Sequence, residues 1–205
     1  MTAKKTIYII RHGESDYNKQ GIIQGRGVDS SLNELGRQQA LQFYRAYHHI
    51  GFNRIYTSEL KRTHQSVDAF LKVGYKHQIL SELNEIGWGI FEGLKGGSES
   101  KRVYQSIVND WSSGLLDRCV EGGESPNSVF KRQKSGLQKI LSTSDSSILI
   151  CMHGRALKIF LCLLTDTPLS EMDRFYHQNL TLYQLEYDGK QFEVIKENCS
   201  KHLWI

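Results

Sequence analysis

Two short stretches, Thr6 to Ile10 and Ser147 to Met152, are apolar without polar alternation, the pattern of strands covered on both faces in a parallel sheet. Each stops at a histidine followed by glycine, Arg11-His12-Gly13 in the first case and His153-Gly154 in the second. Arg54 to Thr57 and Gln78 to Leu80 predict two more strands. Helical spacing intervenes: Asn33 is the expected N-cap of a helix to about His49, with Leu35, Ala40, Leu41, Phe43 and Tyr44 on or near one face and Gly51 closing it. Ser58 is the expected N-cap of the next helix, which carries Leu60, Val67, Phe70 and Leu71 and has Arg62 in its first turns. Ser98 to Trp111, Asn127 to Leu141 and Arg155 to Leu164 also read as helices. Glu14 to Ser31 and the glycine-rich Gly87 to Gly97 read as loops. Leu180 to Tyr187, the turn Asp188-Gly189 and Gln191 to Ile195 predict a C-terminal hairpin.

Alternating strands and helices imply one α/β domain over residues 1–205 with a largely parallel sheet, and the stretch of about 94–123 reads as a helical insertion beside it. At 205 residues, 39% hydrophobic and 23% charged, the chain has the composition of a globular domain with a true core. Its formal charge of +4 is spread without long runs, which calls for no nucleic acid or membrane partner and suits an anionic small molecule. Cys119, Cys151, Cys162 and Cys199 form no C-x-x-C pair, against a zinc site or disulfide framework. With no signal-peptide h-region or apolar span, the expectation is a cytoplasmic protein.

Ligands of open α/β sheets bind at the carboxyl ends of the strands. Two strands deliver His-Gly there, and a third leads through Ser58 to Arg62. Arg11, His12, Arg62 and His153 would then make a compact cationic pocket for a tetrahedral dianion, since guanidinium forks match phosphate oxygens. The chain contains no G-x-x-x-x-G-K-[ST], H-E-x-x-H or G-x-S-x-G.

Arg11-His12-Gly13-Glu14-Ser15 with Asn18 resembles the R-H-G-E-S-x-x-N signature of the histidine phosphatase superfamily, in its phosphoglycerate-mutase-like branch. Further matches follow in order: Gln24-Gly25 with Asp29 and Leu32, Ser58 to Thr63, Leu83-Asn84-Glu85 with Gly89, Glu92 and Gly93, Gly122 to Ser125, and Met152 to Gly154. The resemblance implies a three-layer αβα fold around a mostly parallel sheet. It implies His12 as a nucleophile that becomes phosphohistidine, Glu85 as general acid and base, and Arg11, Arg62 and His153 as phosphoryl-binding groups. Like-charge repulsion from Arg11 and Arg62 is expected to keep His12 neutral. Asn18, Gln24, Gly25 and Gly154 are implied substrate contacts, while Glu82 and Glu92 are expected to be solvated loop charges. No metal or cofactor is implied, and the partner is a small phosphorylated substrate.

The superfamily holds both phosphatases and mutases. Trp88 stands where the mutases have tyrosine, and Lys95, Lys101, Arg102 and Arg118 include no Arg-Arg pair. The expectation is therefore a metal-independent phosphatase, with a phosphoglycerate mutase or a non-catalytic phospho-ligand module as alternatives. Trp88, Phe91, Tyr104 and Trp111 are candidates for apolar walls or plain packing, and Arg155 for a substrate contact or a structural salt bridge. Cys151 lies near enough to His153 for its oxidation to matter.

Overall fold

A computed structural model describes residues 4–95 and 97–204. Lys5–Arg11 (β1) is followed by a short helix, Asp16–Gln20 (α1), then Glu34–Tyr47 (α2), Arg54–Thr57 (β2), Lys61–Lys72 (α3) and His77–Ile79 (β3). After Ser98–Ser112 (α4) and Pro126–Leu141 (α5) come Ser147–Met152 (β4), Gly154–Thr165 (α6), and the hairpin of Leu182–Tyr187 (β5) and Phe192–Cys199 (β6). The six strands form one sheet in the order β3-β2-β4-β1-β5-β6. The first four are mutually parallel, and the hairpin extends the sheet antiparallel beside β1.

The uninterrupted apolar runs follow from this order, because β1 and β4 are the two central strands and carry helices on both faces. Ile7 and Ile9 point into one core with Val129, Ile140, Leu157 and Phe160 from α5 and α6. Tyr8 and Ile10 point into the other with Phe43, Val67 and Phe70 from α2 and α3. This alternation makes the three layers.

Asn33 caps α2 as expected, its side chain accepting from the Gly36 N–H. Ser58 does not cap α3: the N-cap is Leu60, with no side-chain cap bond. The Ser58 hydroxyl accepts instead from the Leu60 N–H at 3.1 Å and bonds His153 at 2.7 Å. Inside the supposed loop of Glu14 to Ser31, Ser15 and Asn18 form a reciprocal capping box that starts α1. Strand β6 runs to Cys199, beyond the expected Ile195, because Lys196, Glu197 and Asn198 are polar and interrupt the apolar signal before Cys199.

Candidate active site

Register places the site. Arg11 pairs with Met152 across the parallel β1–β4 ladder, so the residues that follow, His12 and His153, leave the sheet side by side, with ring centroids 5.2 Å apart. The His12 N–H still bonds the Met152 carbonyl at 2.9 Å. Two further bonds tie down this strand end: Asn179 donates its side-chain amide to the His12 carbonyl at 2.8 Å, and the Leu180 N–H donates to the Arg11 carbonyl at 3.0 Å.

His12 is buried. Its Nδ1 lies 2.7 Å from the Gly13 carbonyl, and a carbonyl can only accept, so the proton sits on Nδ1 and Nε2 keeps its lone pair. Burial holds the imidazole well below its ordinary pKa, with Arg62 and then Arg11 adding to the effect. Desolvation thus outweighs the like-charge repulsion expected from sequence.

Arg62 is fully buried yet well supplied with acceptors. It donates Nη1 to the Val28 carbonyl at 2.6 Å, Nη2 to the Gly25 carbonyl at 3.3 Å and Nε to His153 Nδ1 at 3.2 Å. Burial lowers its pKa to about 10, against the attraction of Glu85, Asp29 and Glu92. Because Arg62 Nε can only donate, His153 carries its proton on Nε2 and gives it to Ser58. Both ring nitrogens of His153 are thereby used, and it stands behind the cavity wall rather than in it. Arg11 differs: its Nε is buried without a partner, an orphaned cationic donor beside the cavity, which needs an anion to complete it.

Glu85 sits at the start of α6 across from these cations. Its carboxyl group accepts from the Ile86 N–H at 2.9 Å, the Ala156 N–H at 2.8 Å and the Arg155 N–H at 3.1 Å. The helix start therefore orients it.

A cavity of about 440 Å³ opens here, walled by Arg11, His12, Arg62, Glu85 and Gly154. Asn18 and Gln24 also line it, but each is anchored to Ser15, with Asn18 Oδ1 accepting from the Ser15 N–H and Gln24 Nε2 donating to its hydroxyl. Gly25 is not in the wall; its carbonyl serves Arg62, and a Cβ there would meet Glu92 Oε1 at 1.9 Å. Glu92 is accordingly no solvated charge, since it also accepts from the Trp88 N–H at 2.8 Å. Nor is Glu82 free: it pairs with Lys139.

Of the aromatic candidates, Trp88 and Tyr104 reach the cavity, whereas Trp111 packs behind Trp88 with centroids 5.7 Å apart. Lys101, Arg102 and Arg118 do not reach it. Tyr17, Lys158, Tyr176 and His177 do, and sequence reasoning missed them. Lys158 follows the second histidine by five residues on α6 and was legible as a helix-face neighbour of Arg155; the 176–179 segment has no such spacing signal. Cys151 is buried with its thiol pKa raised by desolvation, which leaves it little thiolate character for oxidation. Among the described residues no group of three or more His, Cys, Asp or Glu side chains is placed to hold a metal ion, and no helix is long and apolar enough to cross a membrane.

Known proteins share this arrangement of strands. The solved structure of Bacillus stearothermophilus YhfR superposes with a TM-score of 0.84 at 27% identity, covering 97% of this chain and 99% of that one. That of the mycobacterial glucosyl-3-phosphoglycerate phosphatase has a TM-score of 0.85 at 21% identity, with 96% and 100% covered, a likeness of fold. In sequence, "Putative phosphoserine phosphatase 2" of Hydrogenobacter thermophilus is 27% identical over 199 residues, 97% of each chain. "Probable phosphoglycerate mutase GpmB" of Erwinia tasmaniensis is 28% identical over 187 residues, 88% of this chain and 84% of that one. The family model of the histidine phosphatase superfamily, branch 1, matches residues 7–200, and the chain belongs to that family.

Proposed function

We propose that this protein is a metal-independent phosphatase that hydrolyses a small phosphate monoester through a phosphohistidine at His12. The carrying observation is the 2.7 Å bond from His12 Nδ1 to the Gly13 carbonyl, which leaves Nε2 its lone pair in a site that also holds the buried Arg62 and the half-buried Arg11. The phosphoryl group would sit against Arg11, whose Nε lacks a partner, and Arg62. As His12 Nε2 forms the N–P bond, the ester P–O bond breaks and the leaving oxygen takes a proton from Glu85. Water then enters, gives its proton to Glu85 and attacks phosphorus; the N–P bond breaks, inorganic phosphate leaves and His12 is restored. Both arginines stabilise the charge on the equatorial oxygens. His153 acts from behind, fixing Arg62 through Nδ1.

Hydrolysis is favoured over mutase chemistry because Lys101, Arg102 and Arg118 of the insertion stay away from the cavity. Phosphatase names among its relatives support the same reading. The test is phosphate release from a panel of phosphorylated metabolites in excess EDTA, with wild type beside His12→Ala. Release is expected from wild type alone, together with acid-labile labelling that the variant lacks. Covalent phosphate retained in His12→Ala would move the nucleophile elsewhere.

A further inference from the structure

The cavity extends past its phosphoryl end. At about 440 Å³ it lies in the range that encloses a whole metabolite. Besides Arg11, His12 and Arg62 its lining includes Arg155 and Lys158, neighbours on one face of α6, together with Tyr104, Tyr176 and His177. Arg155 donates to Asp173 at 2.7 Å and Lys158 to the same oxygen at 2.6 Å. Two cations therefore share one carboxylate, and one positive charge is left over. These cations are well placed rather than trailing in solvent: the Arg155 side chain is 9% exposed and that of Lys158 19%. Arg155 is also held by the Tyr104 hydroxyl at 2.9 Å and lies 5.5 Å from the Trp111 ring centroid.

Among the described residues that line the cavity Glu85 is the one carboxylate. Its charge acts on Arg11 and Arg62, whereas Arg155 answers to Asp173 and Tyr104. Close by, His177 is buried and its Nδ1 lacks a partner. Gly154 joins the two groups in the wall: its position for a Cβ lies 3.5 Å from Arg11 Cζ, and it directly precedes Arg155 in α6. Both groups of cations thus line one cavity.

We propose that Arg155 and Lys158, with Asp173 as their shared counter-ion, form a second anion subsite that selects phosphate monoesters bearing a carboxylate. The proposal rests on the phosphatase reading for its turnover assay, and its ligand preference can be read separately. O-phosphoserine differs from O-phosphoethanolamine by one carboxylate, and 3-phosphoglycerate from glycerol 3-phosphate by one carboxylate in place of a hydroxymethyl group. For each pair, kcat/KM is measured on wild type, Lys158→Met, Arg155→Met and Asp173→Asn.

Wild type is expected to prefer the carboxylate member about tenfold or more, the worth of one charge-assisted contact. Lys158→Met and Arg155→Met should shrink the ratio to under about threefold, while Asp173→Asn, which frees cationic charge, should enlarge it. Opposite movements separate recognition from damage to the fold, which would lower turnover without sorting the pairs. A wild-type ratio near one, or ratios that ignore all three substitutions, overturns the subsite. Should no ester be hydrolysed, the functional reading fails on its own; calorimetric binding of 3-phosphoglycerate against glycerol 3-phosphate then decides the subsite, with equal affinities overturning it.

Discussion

Glu85, the acid and base of the proposed mechanism, is held in place by the backbone around it. Its Oε1 accepts from Ile86 and Ala156 and its Oε2 from Arg155, so Glu85→Gln keeps the two Oε1 bonds and turns an amide toward a third donor. The side chain stays placed by its two Oε1 bonds while the proton chemistry is lost. In the proposed mechanism that loss matters only where the leaving oxygen needs a proton. Turnover of alkyl phosphates should fall about 10²- to 10⁴-fold, the usual worth of general acid catalysis, whereas p-nitrophenyl phosphate, with its stable phenolate, should lose under about tenfold. Equal losses on both esters would remove the acid role. The candidate site was legible in part because Arg11, His12 and His153 stand at the ends of two strands and Arg62 in a first helical turn, whereas Glu85 came only with the family motif. The finer roles were not: in the proposed mechanism His153 supports Arg62 instead of touching the phosphoryl group, since Ser58 and Arg62 take its two nitrogens. Asn179, which holds the His12 carbonyl, belongs to no local pattern, since its partner is 167 positions away.

At the scale of elements, the turn after β1 is held against the start of α2 by backbone contact. An added Cβ on Gly36 would meet the Glu14 carbonyl oxygen at 2.1 Å, and one on Gly13 would meet the Gly36 carbonyl oxygen at 2.6 Å. Two bare backbones thus approach where side chains cannot fit. Gly36→Ala must push α2 and the His12 turn apart, and a forced backbone shift of this kind costs about 1–3 kcal/mol. The variant should show a lower urea midpoint and, because the moved turn carries His12, a lower kcat in protein that remains folded. Unchanged stability and turnover would mean that the turn is not held by this contact. The central strands β1 and β4 were readable from their unbroken apolar runs, and α2 from its apolar spacing between Asn33 and Gly51. The short Asp16–Gln20 helix was not: it buries no residue, so it leaves no apolar stripe. Ser58 misled for a related reason, since a serine before a helix looks like a cap whether its hydroxyl serves that helix or a histidine on another strand.

The molecule as a whole puts its apolar surface into two cores flanking one sheet and gathers buried titratable groups at the sheet's carboxyl edge. His12, His153 and His177 are all buried there, and burial is the leading cause of each one's lowered pKa, which reaches about 3 for His177. In the unfolded chain each imidazole returns to about 6.5. Below that pH the unfolded state binds more protons than the folded state, so stability must fall as pH falls. From about pH 6.5 to 5.5 the loss integrates to about 1 kcal/mol per histidine, and it approaches about 1.4 kcal/mol per further pH unit while the folded imidazoles stay neutral. Carboxylates with depressed pKa, Glu124 and Asp173 among them, act in the same direction but only nearer about pH 4, around their unfolded values. The urea midpoint should therefore drop through the weakly acidic range, well above the window of the carboxylates. His177→Asn, which removes one of the three imidazoles, should lessen that slope by about one proton's share. A midpoint that stays flat from about pH 7 to 5.5 would mean that these histidines are charged in the folded protein, and a charged His12 has no lone pair on Nε2 to offer phosphorus.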